Sequence, residues 1–249
     1  MKAAQTVSPL YLLERFDVGI VQLDAERMVV AMNDYARRVL PVDEKQPFDR
    51  FVLSFHPERS KPKVDFLLNQ AATCPVTNPP PMTMIINIPE RVLMIKVSCT
   101  SDSRGVLVGY VLVFYDITEV VAGSDSGDAS ADTPGRRQLH KVPTVMGQRI
   151  VLVPADDILR LYSEGHYTQV VTPEGHRFCN LAISDLEGRL DPEHFMRVHR
   201  SHIVDLRKVQ QLVRAEGRVS LQLAGDETLV PVARSSAAAV LARLGRITG

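Results

Sequence analysis

No run of about eighteen apolar residues, the length a bilayer-spanning helix needs, occurs in this 249-residue sequence. With 45% apolar and 23% charged residues, the composition is that of a soluble globular chain. The N-terminal stretch MKAAQTVSPLYLLERFDV lacks the apolar core and small-residue cleavage site of a secretory signal, so a cytoplasmic location is expected. Cysteine is scarce. Cys74, Cys99 and Cys179 are scattered and lack metal-site spacing, which argues against a disulfide framework. No Gly-rich phosphate loop and no Ser, His and Asp phrase accompany the carboxylates Asp156, Asp157, Glu164 and Asp191, so an enzyme is not expected. Net charge is zero, and any nucleic-acid surface must therefore come from placement rather than bulk charge.

The length suits two domains, each with its own core. A short helical pattern near Leu10 precedes two alternating runs, GIVQLD and MVVAMN, around Asp24-Ala25-Glu26, which predicts a hairpin. Asn33 stands as the N-cap of a helix with apolar positions Tyr35, Val39 and Leu40, ended by Pro41. Pro57 suits the first turn of another helix, with Val64, Phe66, Leu67 and Leu68 as its apolar face. His56 then sits at the helix entry. After Pro79-Pro80-Pro81 come three strand candidates, 82–88, 91–99 and 107–118. Residues 121–138 hold almost no large apolar side chain and predict a flexible linker, giving boundaries of 1–120, 121–138 and 139–249.

Beyond the linker, the runs HKVPTV, RIVLVP, ILRLYS, YTQVVT, FMRVHRS, VQQLV, RVSLQL and TLVPVA alternate with turns such as Glu164-Gly165 and Glu216-Gly217. A β-rich fold of hairpins follows. Ser184 to Glu187 has capping-box spacing, with Leu186 and Leu190 facing inward, and SSAAAVLARL forms a last helix before Gly245. Residues 1–120 carry 13 basic and 14 acidic side chains, whereas 139–249 carry 14 and 12 together with six of the seven histidines. His199 and His202, three apart on what reads as one extended segment, are expected on opposite faces, which argues against a metal pair. Arg197 reads equally as a solvated strand residue or as a contact.

Between His56 and Met94 lie one histidine, one cysteine and three methionines, the side chains that bind haem iron most readily. The chain has no CxxCH attachment phrase, so any haem would be held without covalent bonds. Alternation sends Met82, Met84, Ile86 and Ile88 to one apolar face of their strand, and Thr83, Ile85 and Asn87 to the other. Met94 shares a face with Lys96 and Ser98, away from Leu93, Ile95 and Val97. Strand geometry does not choose between Met82 and Met84.

The phrases VGIVQLD, AMNDYARRVL and VLVFYDITE, spanning residues 10–120, resemble a PAS domain, a small sensor fold. ILRLYSEGHYTQVVTPEG, ISDLEGRLDPEHFMRVHRSHIVDLRKV and VPVARSSAAAV, over about 140–245, are similar to the LytTR DNA-binding domain. These resemblances imply two domains: an α+β PAS fold with a five-stranded antiparallel sheet and helices, then a mainly-β LytTR domain. DNA contact would come from the turn Gly165-His166-Tyr167, the segment His199-Arg200-Ser201 and Arg234, with Tyr167, His199, Arg200 and Arg234 as the DNA-binding residues.

HPE, CPV, PPP, INIP and LMIKVS, with GHYT and RVHRSHIV, resemble the RcoM-type regulators, which are carbon-monoxide-responsive haem PAS and LytTR transcription factors. That resemblance implies non-covalent haem b with His56 as the constant axial ligand. Cys74 would oppose it on ferric iron, and Met84 on ferrous iron until CO displaces it. A homodimer on paired repeats of promoter DNA, activating CO-oxidation genes, is implied as well. The alternative is a PAS and LytTR regulator of transcription that senses redox state or another small ligand, with Cys74 as a thiol switch or with no haem.

Overall fold

The chain divides into two compact units, residues 1–84 with 93–117 and residues 85–92 with 118–249. The computed structural model describes residues 17–40, 48–56, 58, 61–73, 82–88, 91–122, 137–147, 149–165, 167–215 and 217–247.

The first sheet has five strands: β1 (Val18–Asp24), β2 (Val29–Met32), β3 (Met82–Ile88), β4 (Arg91–Ser101) and β5 (Leu107–Asp116). They lie in the order β2-β1-β5-β4-β3, and β1 pairs antiparallel with both β2 and β5. The expected β1 to β2 hairpin is present. Asn33 does more than cap helix α1 (Asp34–Val39). Its Oδ1 accepts the Ala36 and Ile20 N–H groups at 2.9 and 3.0 Å, and its Nδ2 donates to the Val18 carbonyl at 2.7 Å. One buried amide thereby starts the helix and fixes it to β1.

Val21, Leu23, Leu93, Ile95, Val97 and Phe114 form the inner face. Gly19 is required there, because a Cβ at that position would fall 1.9 Å from the Phe114 ring, whose other neighbour is Tyr35 at 6.1 Å between centroids. Beyond β5, Thr118 opens helix α3 (Thr118–Ala122) and its hydroxyl accepts the Val92 N–H at 2.9 Å.

Three expectations for this half are corrected. Helix α2 (Lys61–Thr73) buries Val64, Leu67, Leu68 and Ala71, the i, i+3, i+4, i+7 stripe, and this turns Phe66 outward at 50% exposure. On β3, Met84 and Ile85 are both buried while Ile86 and Ile88 are half-buried. A strand covered on both sides does not keep simple alternation. Val121 and Ala122, expected in the linker, are helical and buried; residues 123–136 lie outside the described residues.

A seven-stranded sheet of the second unit comprises β6 (Lys141–Met146), β7 (Arg149–Pro154), β8 (Arg160–Glu164), β9 (Tyr167–Thr172), β10 (Gly175–Cys179), β11 (Phe195–His199) and β12 (His202–Asp205). Their order is β11-β12-β8-β9-β10-β6-β7. Helix α4 (Ile183–Glu187) precedes β11, and a three-stranded sheet, β13 (Val209–Ala215), β14 (Arg218–Leu223) and β15 (Asp226–Val232), precedes helix α5 (Arg234–Ile247). Leu159, Val198, Val204, Leu206, Leu221, Leu223, Val230 and Val240 join the two sheets and α5 in one core.

Here β10 was not foreseen, and FMRVHRS is not one strand, because the chain reverses at Arg200-Ser201. Helix α4 starts from Ala182 without a side-chain cap, so Ser184 forms no capping box, although Leu186 and Leu190 are buried as expected. Gly245 lies inside α5 rather than beyond it.

Candidate functional site

At the sensor end, His56 owes its position to a non-local pairing. The Val29 N–H donates to the Arg50 carbonyl, the Asp49 N–H to Val29 and the Val52 N–H to Arg27, all at 2.9 to 3.0 Å. This lays 49–52 beside β2. A single 3-10 turn, Val52–Phe55, follows, and His56 caps it through its N–H to the Leu53 carbonyl at 3.1 Å. Arg27 also holds Asp65 and Asn69 of α2, each at 2.5 Å, which ties that helix to the hairpin turn.

Burial lowers the His56 pKa below the ordinary histidine value, so the ring is neutral at physiological pH. Neutral imidazole is the form that ligates a metal. Met84 belongs to the same unit and is 5% exposed. Met94 is half-buried beside exposed Lys96, in keeping with its expected place off the core face. Cys74, the Pro79 to Pro81 run and the Met82 side chain lie outside the described residues. Among the described residues no group of three or more His, Cys, Asp and Glu could hold a bare metal ion. Haem would ask less of the protein than a bare ion, because the porphyrin itself would supply most of the iron's donors. A neutral imidazole and a buried thioether fit that requirement.

At the other end, three chain segments meet along one edge of the second unit. The β8 to β9 turn pairs Glu164 with Tyr167 around Gly165, which takes φ 60°. Beside it, the Ser163 N–H donates to the Ser201 carbonyl at 2.9 Å, which seats the Arg200-Ser201 turn against β8. The Ala233 N–H donates to the Val198 carbonyl at 2.8 Å and brings the start of α5 to the same place. Arg200 and Arg234 are both exposed, and Tyr167 packs its ring 4.6 Å from Phe178. His166 lies outside the described residues. Two exposed guanidinium groups on braced backbone, next to an aromatic, suit hydrogen bonding to phosphates and base edges.

Comparison with known proteins bears on both ends. Residues 10–118 match the PAS domain family, and residues 148–245 match the LytTr DNA-binding domain family. The heme-containing CO-sensing transcriptional regulator RcoM 2 of Paraburkholderia xenovorans is 41% identical over 244 residues, covering 94% of this chain and 91% of that protein. RcoM 1 of the same strain is 40% identical with the same coverage. The CO-responsive transcriptional regulator RcoM of Rhodospirillum rubrum is 31% identical over 227 residues, covering 90% and 93%. The chain belongs to the RcoM family.

Within this RcoM-family chain, the edge that gathers Arg200 and Arg234 contains residues that spacing alone did not single out. Arg197, read as solvated strand or contact, donates through Nη2 to the Arg200 carbonyl at 2.6 Å and through Nη1 to Glu187 Oε2 at 2.5 Å. It holds the turn from below. His199 and His202, expected on opposite faces, are cross-strand partners with ring centroids 5.7 Å apart, because the chain reverses between them. Tyr162 stacks on His202 at 6.1 Å, and the Arg160 guanidinium lies 4.9 Å over Tyr162. Behind them Arg160 forms a buried ion pair with Asp226. Burial, then the Arg160 and His199 charges, lower the His202 pKa to about 4, so that ring is neutral at pH 7. Only the cross-strand pairing identifies this group; no sequence spacing does.

Proposed function

We propose that this chain is a haem-dependent transcriptional regulator that senses CO at ferrous haem and binds promoter DNA to activate CO-oxidation genes. The observation that carries the reading is the near end-to-end similarity to RcoM regulators, which takes in the sensor and DNA-binding regions together. His56 and Met84 are the residues that would hold non-covalent haem b, with Cys74 in place of Met84 when iron is ferric. The bound group supplies a ferrous iron that accepts CO. His56, kept neutral by burial, would be the stronger donor to that iron and Met84 the weaker, more readily replaced one.

On the DNA side, Arg200 and Arg234 make the principal contacts, assisted by His199 and Tyr167. The working boundaries are 1–120 for the sensor and 139–249 for the DNA-binding domain, with 121–138 as the linker apart from the helical Val121 and Ala122. A homodimer in the cytoplasm, reading paired DNA repeats, completes the proposal. The reading is tested by the absorption spectrum of haem-loaded protein, oxidised, reduced, and reduced with CO. A Soret band that moves at each step is expected. Absence of the band, or a band indifferent to CO, refutes it.

A further inference from the structure

The Arg200-Ser201 turn is held by hydrogen bonds whose directions can be deduced. The Ser201 backbone N–H, which can only donate, donates to His199 Nδ1 at 3.3 Å. That nitrogen is therefore bare, and the proton of a neutral His199 sits on Nε2. Ser201 Oγ lies 2.8 Å from the same Nδ1, so the hydroxyl must donate to it. Its single proton is then committed. The 2.9 Å contact between Ser201 Oγ and His202 Nδ1 must run the other way, with His202 donating. One backbone N–H thus sets the tautomers of two imidazoles.

His199 Nε2–H is left with no partner among the described residues, one position from exposed Arg200. Behind His202 the stack is closed by Tyr162, which is covered by Arg160 and meets His176 Nδ1 through its hydroxyl at 3.3 Å.

We propose that Ser201 is a positioning residue for DNA binding: its hydroxyl, set between His199 and His202, locks His199 with the proton on Nε2 and so offers DNA a fixed hydrogen-bond donor beside Arg200. The proposal rests on the reading that His199 touches DNA. Without the hydroxyl, His199 keeps only the long backbone bond, and its ring is free to exchange tautomers and rotate. The acceptor recognised is a phosphate oxygen or the acceptor edge of a base.

The test uses the full chain, labelled with nitrogen-15 at histidine, and a fluorescent duplex recovered by the wild-type protein from a random-sequence pool. Nitrogen shifts separate a protonated ring nitrogen from a bare one. In wild type, His199 should carry its proton on Nε2. Ser201→Ala should mix the tautomers and weaken binding about fivefold, the effect of one neutral hydrogen bond, with an unchanged melting temperature. Ser201→Thr should restore both. In a His199→Ala background, Ser201→Ala should have no further effect.

Wild-type affinity in His199→Ala would overturn the DNA-contact reading and the proposal with it. If His199→Ala weakens binding while Ser201→Ala binds normally or keeps the Nε2–H tautomer, only the proposal falls. A wild-type His199 protonated on Nδ1 overturns it without any variant, and so does not depend on how Ser201→Ala folds.

Discussion

Replacing Asp226 with alanine should destabilise the DNA-binding unit severely, because it strands a buried positive charge. Asp226 and Arg160 form an ion pair with side chains only 7% and 4% exposed. Burial is the largest single influence and would raise the Asp226 pKa, but the hydrogen bonds from Arg160 and Thr228 and the Arg160 charge together outweigh it and hold the carboxyl below the ordinary carboxylate range. Asp226→Ala leaves the Arg160 guanidinium buried without its counter-charge, a loss of about 3–5 kcal/mol. The other bonds that Asp226 accepts, from the Thr228 N–H at 2.9 Å and from the Thr228 hydroxyl, join an exposed residue, so water replaces them at little cost. Hydrogen exchange of the full chain provides the assay, read on peptides from β14 and β15. Exchange there should accelerate by about two to nearly four decades, since about 1.4 kcal/mol is tenfold. The paired change Arg160→Met with Asp226→Leu should recover most of the loss, because it removes both charges and keeps the volume apolar. A loss below about 1 kcal/mol in Asp226→Ala, or a paired variant no better than the single one, would show that the pair is hydrated and refute the reasoning.

Further tests address the two units separately. Arg200→Ala and Arg234→Ala should each cost about 1–3 kcal/mol of specific DNA binding if the contact is to a base, and wild-type gel-shift titrations for both would remove them from the site. Arg197→Lys should weaken binding as well without removing charge, because an ammonium lacks the fork that reaches Glu187 and the Arg200 carbonyl together; equal affinity in the two proteins would contradict this. His202 has a folded pKa of about 4 against an ordinary value of 6.5, so the unfolded state binds more protons between them. Its contribution to stability is whole above pH 6.5, falls with pH across that window and is exhausted below about 4, and urea melts of His202→Phe should lack that component. Gly19→Ala would drive a methyl into the Phe114 ring and should destabilise the first unit by about 1–3 kcal/mol, measured by exchange in β1 and β5.

How far sequence reasoning reached depended on whether the deciding bonds were local. The β1 to β2 hairpin and the Asn33 cap were legible because turn and cap residues act within a few positions of themselves. The other bonds of Asn33, to Val18 and Ile20, were not, since they depend on the sheet being assembled. His56 was placed at a helix entry by Pro57, but its burial comes from 49–52 pairing with β2, more than twenty positions earlier in the chain. Phe66 was misplaced because four apolar residues within five positions do not say which of them falls off a stripe of 3.6 period.

The reversal at Arg200-Ser201 was hidden for a more specific reason. The phrase VHRSHIV contains no Gly, Pro, Asn or Asp, the stronger turn markers, and its one turn-favouring residue, Ser201, is a weaker one. Among the described residues neither 200 nor 201 takes positive φ, so this is not one of the primed turns that match the twist of two paired strands. The mismatch is absorbed nearby: β11 slips register between Arg197 and His199, and the Val198 carbonyl in that bulge accepts the Ala233 N–H from the start of α5. Arg197 then ties down the Arg200 carbonyl, and Ser201 joins the two imidazoles that face each other across the turn. Side-chain bonds thus hold a reversal that backbone preference does not favour. The bulge that absorbs the mismatch also offers the Val198 carbonyl that brings the start of α5 beside the turn, so the chain conformation that conceals the hairpin in the sequence is also what gathers Arg200 and Arg234 at one edge.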